Sequence, residues 1–327
     1  MHLSNIAALL VTPVLVFGIG VAIQRGNTCT VVAFDDIVHR RSWDRLLAIV
    51  YSWLWIAGGL TLLALTTGYH PGAKLVPVTA WSVAGGVILG VGAVINGACT
   101  TGTVARIGSG EYAYGLTVVG FFLGCLLAPQ LFGRAATTHT TSDPTTTVID
   151  HPAFALLGLS LVAAVTARRL LRGPHEGFRE FLRHAWDPRT ATLIIATLFV
   201  AAVQISGAWA YTDMLGDIAK GVTGHVAVQL ALFLALLAGA IVAGRSLRGT
   251  RLIGPLAPRA IRCTIGGVVM GVGFSVAPGA FDGLTLFGQP LLLAYAWVVM
   301  AASYLSILLG VLYLRSSLGA KIKALRG

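Results

Sequence analysis

Five stretches of the chain, 46–66, 112–132, 191–211, 226–244 and 290–314, each run 19–25 residues without a charged side chain. About 20 apolar residues in a helix span the hydrocarbon of a bilayer, so these runs dictate a polytopic membrane protein. A soluble alternative fails on the remaining composition. Only 11% of the 327 residues are charged and 56% are hydrophobic, whereas soluble domains carry about 25% charged residues. No polar face is large enough to solvate that much apolar side chain.

Four more segments complete the set. Residues 3–24 form a first span, expected to be retained, because MHLSNIAALL lacks the basic start and small-residue cleavage site of a signal peptide. Residues 153–171 form another and end in Arg168-Arg169. The stretches 78–105 and 263–289 are apolar but interrupted by Gly, Asn, Pro or Asp near their middle. Interrupted helices are tolerated at membrane depth where protein or a cavity satisfies the freed backbone groups. The expected fold is all-α and polytopic, with about nine crossings and broken half-helices meeting near the midplane.

The two interrupted stretches align with each other. GGVILGVGAVINGACTTGT (85–103) pairs without a gap with GGVVMGVGFSVAPGAFDGL (266–284), an offset of 181, with seven of nineteen positions identical and five of those glycine. Shared glycine composition can mislead, but the same offset pairs 46–66 with 226–244, 112–132 with 290–314, and Asp36 with Asp217. The chain reads as a duplication. A first half covers 1–134, a connector with one extra transmembrane helix and a basic linker covers 135–189, and a second half covers 190–327.

Charge orients the halves, because Lys and Arg concentrate in cytoplasmic loops. Arg168, Arg169, Arg172, Arg179, Arg183 and Arg189 crowd the linker, and further basic clusters follow residue 244 and close the chain. With these inside and the Thr-rich loop 134–150 outside, 112–132 and 290–314 run in opposite directions. Arg25 is left unassigned; 19 cationic residues then fall inside and only Lys74, Arg134 and Lys220 outside. The expectation is an inverted repeat with its N-terminus outside and its C-terminus cytoplasmic. Inverted repeats with broken helices are the mark of secondary transporters. Topology thus accounts for the formal charge of +11, and no basic groove or zinc-finger spacing points to nucleic acid.

Candidate chemistry concentrates at the breaks. Cys99 lies in Asn96-Gly97-Ala98-Cys99-Thr100-Thr101-Gly102. Gly97 lets the helix unwind, and a half-helix restarting at Cys99 offers free N–H groups that favour an anion or a thiolate. Thr100 and Thr101 add hydroxyl donors. The plainer alternative is a small buried cysteine where Gly86 and Gly90 permit close helix packing. Cys29 follows Gln24-Arg25-Gly26-Asn27-Thr28 and precedes an apolar half-helix ending in Asp35-Asp36. Arg25 either balances an anionic solute or anchors the inner leaflet. The second break, Pro278-Gly279-Ala280-Phe281-Asp282-Gly283, aligns Ala280 with Cys99 and Asp282 with Thr101. Asp282 either handles protons or gating, or caps the following half-helix. Cys125 and Cys263 read as inert small side chains. No CxxC pair, metal-ligand spacing, triad or nucleotide motif is present, so neither a metal, a cofactor nor an enzyme is expected.

QRGNTCTVVAFDD (24–36), GGVILGVGAVINGACTTG (85–102) and GGVVMGVGFSVAPGAFDGLTLFGQP (266–290) together resemble motifs of the YeeE/YedE family of bacterial sulphur-transport membrane proteins. The resemblance covers essentially the whole chain. It implies thiosulfate uptake across the inner (plasma) membrane, past intramembrane cysteines at Cys29 and Cys99, often beside a small cytoplasmic sulphur-carrier protein of the TusA type. Thiosulfate-transporting members commonly carry another cysteine in the second half, where this chain has Ala280. Sulfite, another oxyanion or a selenium compound therefore stands beside thiosulfate as cargo. The leading reading is a transporter for a small sulphur-containing anion, with Gln24, Arg25, Gly97, Cys29, Cys99, Thr100, Thr101 and Asp282 as its binding residues. The alternatives are a membrane thiol enzyme relaying sulphur or electrons, and a membrane anchor for a cytoplasmic partner.

Overall fold

The computed structural model describes residues 2–70, 72, 76–137, 147–172, 184–222, 224–248 and 257–324. Lys74, most of the Thr-rich loop, the linker arginines Arg179 and Arg183, Arg251 and Arg326 lie outside the described residues. Among the described residues there is no strand, and nine helices are long and apolar enough to cross a membrane. The chain is a multi-pass transmembrane protein.

In chain order the helices are α1 (His2–Gly26), α2 (Thr30–Asp35, prolonged by a π-helical turn Asp36–Arg40), α3 (Asp44–Thr67), α4 (Ala80–Asn96), α5 (Thr100–Gly108) and α6 (Gly115–Thr137). Then follow α7 (Pro152–Arg172), α8 (Pro188–Ser206), α9 (Tyr211–Ala219) and α10 (Val226–Arg248). The last are α11 (Ala257–Val276), α12 (Phe281–Gly283, prolonged by a π-helical turn Leu284–Gly288) and α13 (Ala294–Ala324). Local chemistry sets their ends. Thr79 and Ser82 close a capping box at the start of α4, and the Asp187 carboxylate accepts from the backbone N–H groups of Arg189 and Thr190 at the start of α8.

One expected span is corrected. Residues 191–211 read as an uninterrupted crossing, but the helix stops at Ser206 and a separate half-helix begins at Tyr211. Gly207 makes the turn with φ at 83°, a conformation in which a side chain would be strained. The broken pairs are therefore α1/α2, α4/α5, α8/α9 and α11/α12.

Under the offset of 181, α1, α3, α4 and α6 correspond to α8, α10, α11 and α13, and the packing partners exchange accordingly. α1 lies on α10 while α8 lies on α3; α4 lies on α13 while α11 lies on α6. The α1–α8 and α4–α11 contacts join corresponding helices. α7 packs on α3 and has no counterpart.

Glycine makes the α4–α11 crossing close. A Cβ on Gly92 would sit 2.6 Å from the Met270 nitrogen, and one on Gly273 would sit 2.6 Å from the Leu89 nitrogen. Backbone atoms cannot yield to such contacts, so these glycines serve helix packing. They do not loosen the helices.

Candidate functional site

The first-half breaks bring two thiols together. Cys29 precedes α2 in an extended conformation, and Cys99 does the same for α5. Their sulphurs lie 3.6 Å apart, although the residues are 70 positions apart in sequence. The Thr30 N–H at the start of α2 donates to Cys99 Sγ at 3.3 Å, and the Cys99 N–H at the start of α5 approaches Cys29 Sγ at 3.5 Å. A third backbone donor, Gly102 N–H, reaches Cys99 Sγ at 3.4 Å. Each sulphur thus faces an N–H of the opposite half-helix, and helix N-termini favour negative charge. Gly102 has to be glycine here, because a Cβ would collide with the Cys29 side chain.

The second-half breaks carry no thiol. Ala210 precedes α9 and Ala280 precedes α12, at the positions the offset assigns to Cys29 and Cys99. Asp282 holds this side to the other. Its carboxylate accepts from Thr100 Oγ1 at 3.0 Å, from Thr212 Oγ1 at 2.7 Å and from the Thr212 N–H at 3.4 Å. The Tyr211 hydroxyl donates to the Thr100 carbonyl at 2.9 Å. All four breaks are therefore tied into one buried polar centre.

Carbonyls freed by the breaks find side-chain donors. The Arg45 guanidinium donates to the carbonyls of Gly26 (3.0 Å) and Asn27 (2.8 Å) and also pairs with Asp36 at 2.7 Å. Asn96 Nδ2 donates to the Ala98 carbonyl at 2.8 Å. Unwound backbone away from water requires this satisfaction.

A cavity of about 100 Å³ opens between α1, α3 and α8 and reaches Thr28, Cys29, Thr101 and Asp282. Its other walls are mainly apolar, with Arg45 as the one charged addition besides Asp282 among the described residues. The hydroxyls of Thr12 and Thr28 on its wall are buried without a partner. A second cavity of about 230 Å³ lies between α9, α11 and α12 and carries Asp213, Asp217 and Lys220.

The expected site residues separate into two groups. Cys29, Cys99, Thr100, Thr101 and Asp282 meet at the breaks, and three of them line the first cavity. Gly97 ends α4 with φ at 77° and faces Arg262 and Tyr114. Gln24 donates to Ser109, and Arg25 donates to the His184 carbonyl and Ser246 while lying over the Trp186 ring. Gln24, Arg25 and Gly97 line neither cavity. No sequence motif marks Arg45, Thr212 or Asp213 for this neighbourhood; the offset of 181 applied to residues 29–36 points to the segment that holds the last two. Cys125, donating to the Gly271 carbonyl, and Cys263 are buried elsewhere. Among the described residues no group of three His, Cys, Asp or Glu side chains is placed to hold a metal.

Comparison with known proteins gives this geometry its context. The family model described as Sulphur transport matches residues 25–309. The thiosulfate transporter TsuA of Escherichia coli (strain K12) is 24% identical over 314 residues, which cover 86% of this chain and 87% of that protein.

Proposed function

The chain belongs to the Sulphur transport family, and from that membership we propose that it takes up thiosulfate across the inner membrane past Cys29 and Cys99. A sulphur-anion transporter of this kind is not an enzyme, and it binds a small anion within the lipid bilayer. The observation that carries the thiosulfate reading is the contact of two thiols at the N-termini of two half-helices. Thiosulfate presents a terminal sulphur and three oxygens. Thiols are weak donors suited to the sulphur, and hydroxyl groups suit the oxygens. Weak contacts also let the ion leave, which passage demands. Thr101 and the unpartnered Thr28 hydroxyl, both on the cavity wall beside Cys29, supply further donors.

The arrangement proposed around this route is an inverted repeat of the halves 1–134 and 190–327 joined by the connector 135–189. The N-terminus lies outside and the C-terminus in the cytoplasm. The exchanged packing of corresponding helices supports this reading. A cytoplasmic sulphur carrier of the TusA type is the proposed receiver of the imported sulphur.

The test is uptake of labelled thiosulfate into cells lacking other importers. Expression of the protein should confer uptake, and Cys29→Ala or Cys99→Ala should return it to background. Uptake at background with the unaltered protein would remove the substrate assignment. Full uptake by both variants would remove the role of the thiols.

A further inference from the structure

The two cavities meet at a partition, since Phe199, Trp209 and Ala210 line both. A carboxylate stands on each side, Asp282 in the wall of the first cavity and Asp213 in the wall of the second. The Asp213 side chain opens into its cavity, and among the described residues no hydrogen bond or ion pair holds it. The two acids are close through the backbone, because a Cβ on Gly283, the residue after Asp282, would lie 3.4 Å from Asp213 Oδ2. The buried indole N–H of Trp209 in the partition also lacks an acceptor.

We propose that Asp213 and Asp282 pass protons across this partition together with the anion, so that uptake is proton-coupled. The inference rests on the transport reading above. Charged groups near Asp213 are Asp217 on its own half-helix, Lys220 just after it and Asp282 beyond the partition. The phenol of Tyr295 on α13 faces the same cavity. α6, α10 and α11 also pack on α9 and, among the described residues, place no charged side chain in the cavity wall. Two carboxylates against one ammonium repel a dianion until protons neutralise them. The membrane potential also opposes each negative charge moving inward. A proton taken by Asp213 from water in the second cavity moves to Asp282, which releases it to water in the first. Only O–H bonds form and break, and nothing is oxidised or reduced. About two protons per thiosulfate dianion make the transfer electroneutral.

The test uses the purified full chain in proteoliposomes, with labelled thiosulfate outside and a pH-sensitive dye inside. The expected result is internal acidification in step with uptake, at about two protons per anion. Asp213→Asn should retain thiosulfate exchange in preloaded vesicles but lose the acceleration given by an imposed pH gradient, and Asp213→Glu should restore it. Thiosulfate entry without proton movement would overturn the coupling and leave the transport reading standing. So would an unchanged gradient response in Asp213→Asn, or loss of exchange that Asp213→Glu also shows. Absence of both entry and exchange in the unaltered protein would overturn both.

Discussion

The breaks before α2 and α5 and those before α9 and α12 lie at positions that the offset of 181 pairs, yet they carry different chemistry. At 29 and 99 the chain places cysteines, while at 210 and 280 it places alanines. At 101 it has threonine, and at 282 a carboxylate that fastens α5 to α9. The scaffold around them is nevertheless alike, with the same helix pairs and the same glycine-lined crossing. One backbone arrangement therefore supports a soft, thiol-lined side and a hard, acid-lined side. The difference teaches that the shared elements place the breaks and the residues at the breaks set their chemistry.

The scaffold part of that comparison is exposed to the largest effect. Gly92→Leu and Gly273→Leu should be equally damaging, at about 3 kcal/mol or more each, because each side chain meets backbone. Loss of a monodisperse peak in detergent chromatography measures it, and a tolerated substitution in one half would break the equivalence. The break positions should then separate. Gly102→Ala drives a methyl into Cys29 and should reduce thiosulfate uptake about tenfold. Gly283→Ala finds its nearest neighbours at 3.4 Å and 3.6 Å and should keep uptake within about twofold. Equal losses would show that the two sides are not specialised.

Thr212→Val gives the second half the residue found at the corresponding Val31. It removes the 2.7 Å hydroxyl donor from buried Asp282 and should cost about 1–3 kcal/mol, read as a lower thermal transition. The smallest effect is expected from Ala280→Cys, which adds a thiol at the buried position that the offset pairs with Cys99. Uptake should stay within about twofold; a large gain would mean that the missing thiol limits transport.

Much of the architecture was legible in sequence because bilayer crossing leaves a strong signature. Charge-free runs located the spans, and Gly97 with Pro278-Gly279 located two breaks through residues that end helices. The break at 207–210 escaped for a physical reason. Gly-Ala-Trp-Ala is apolar and extends the apolar run, so hydropathy continues smoothly across it. Asp213 was hidden with it, since a charge after a complete span reads as a loop residue. The meeting of Cys29 with Cys99 could be suspected from their similar surroundings, but a contact across 70 residues depends on how α1 and α4 pack, which no local pattern encodes. Gln24 and Arg25 stood in a convincing motif, yet their partners Ser109, His184 and Ser246 come from distant segments.

α7 belongs to neither set of corresponding helices, and simple parity gives it a task. Among the described residues four apolar spans precede α7 and four follow it, an even number that returns a chain to its starting face. Two such units joined directly would enter the bilayer facing the same way. A single added crossing reverses the second unit, so in the proposed arrangement α7 is the inverter that lets one ancestral fold be read from both faces of the membrane. Its peripheral seat on α3 fits a helix selected for direction of insertion.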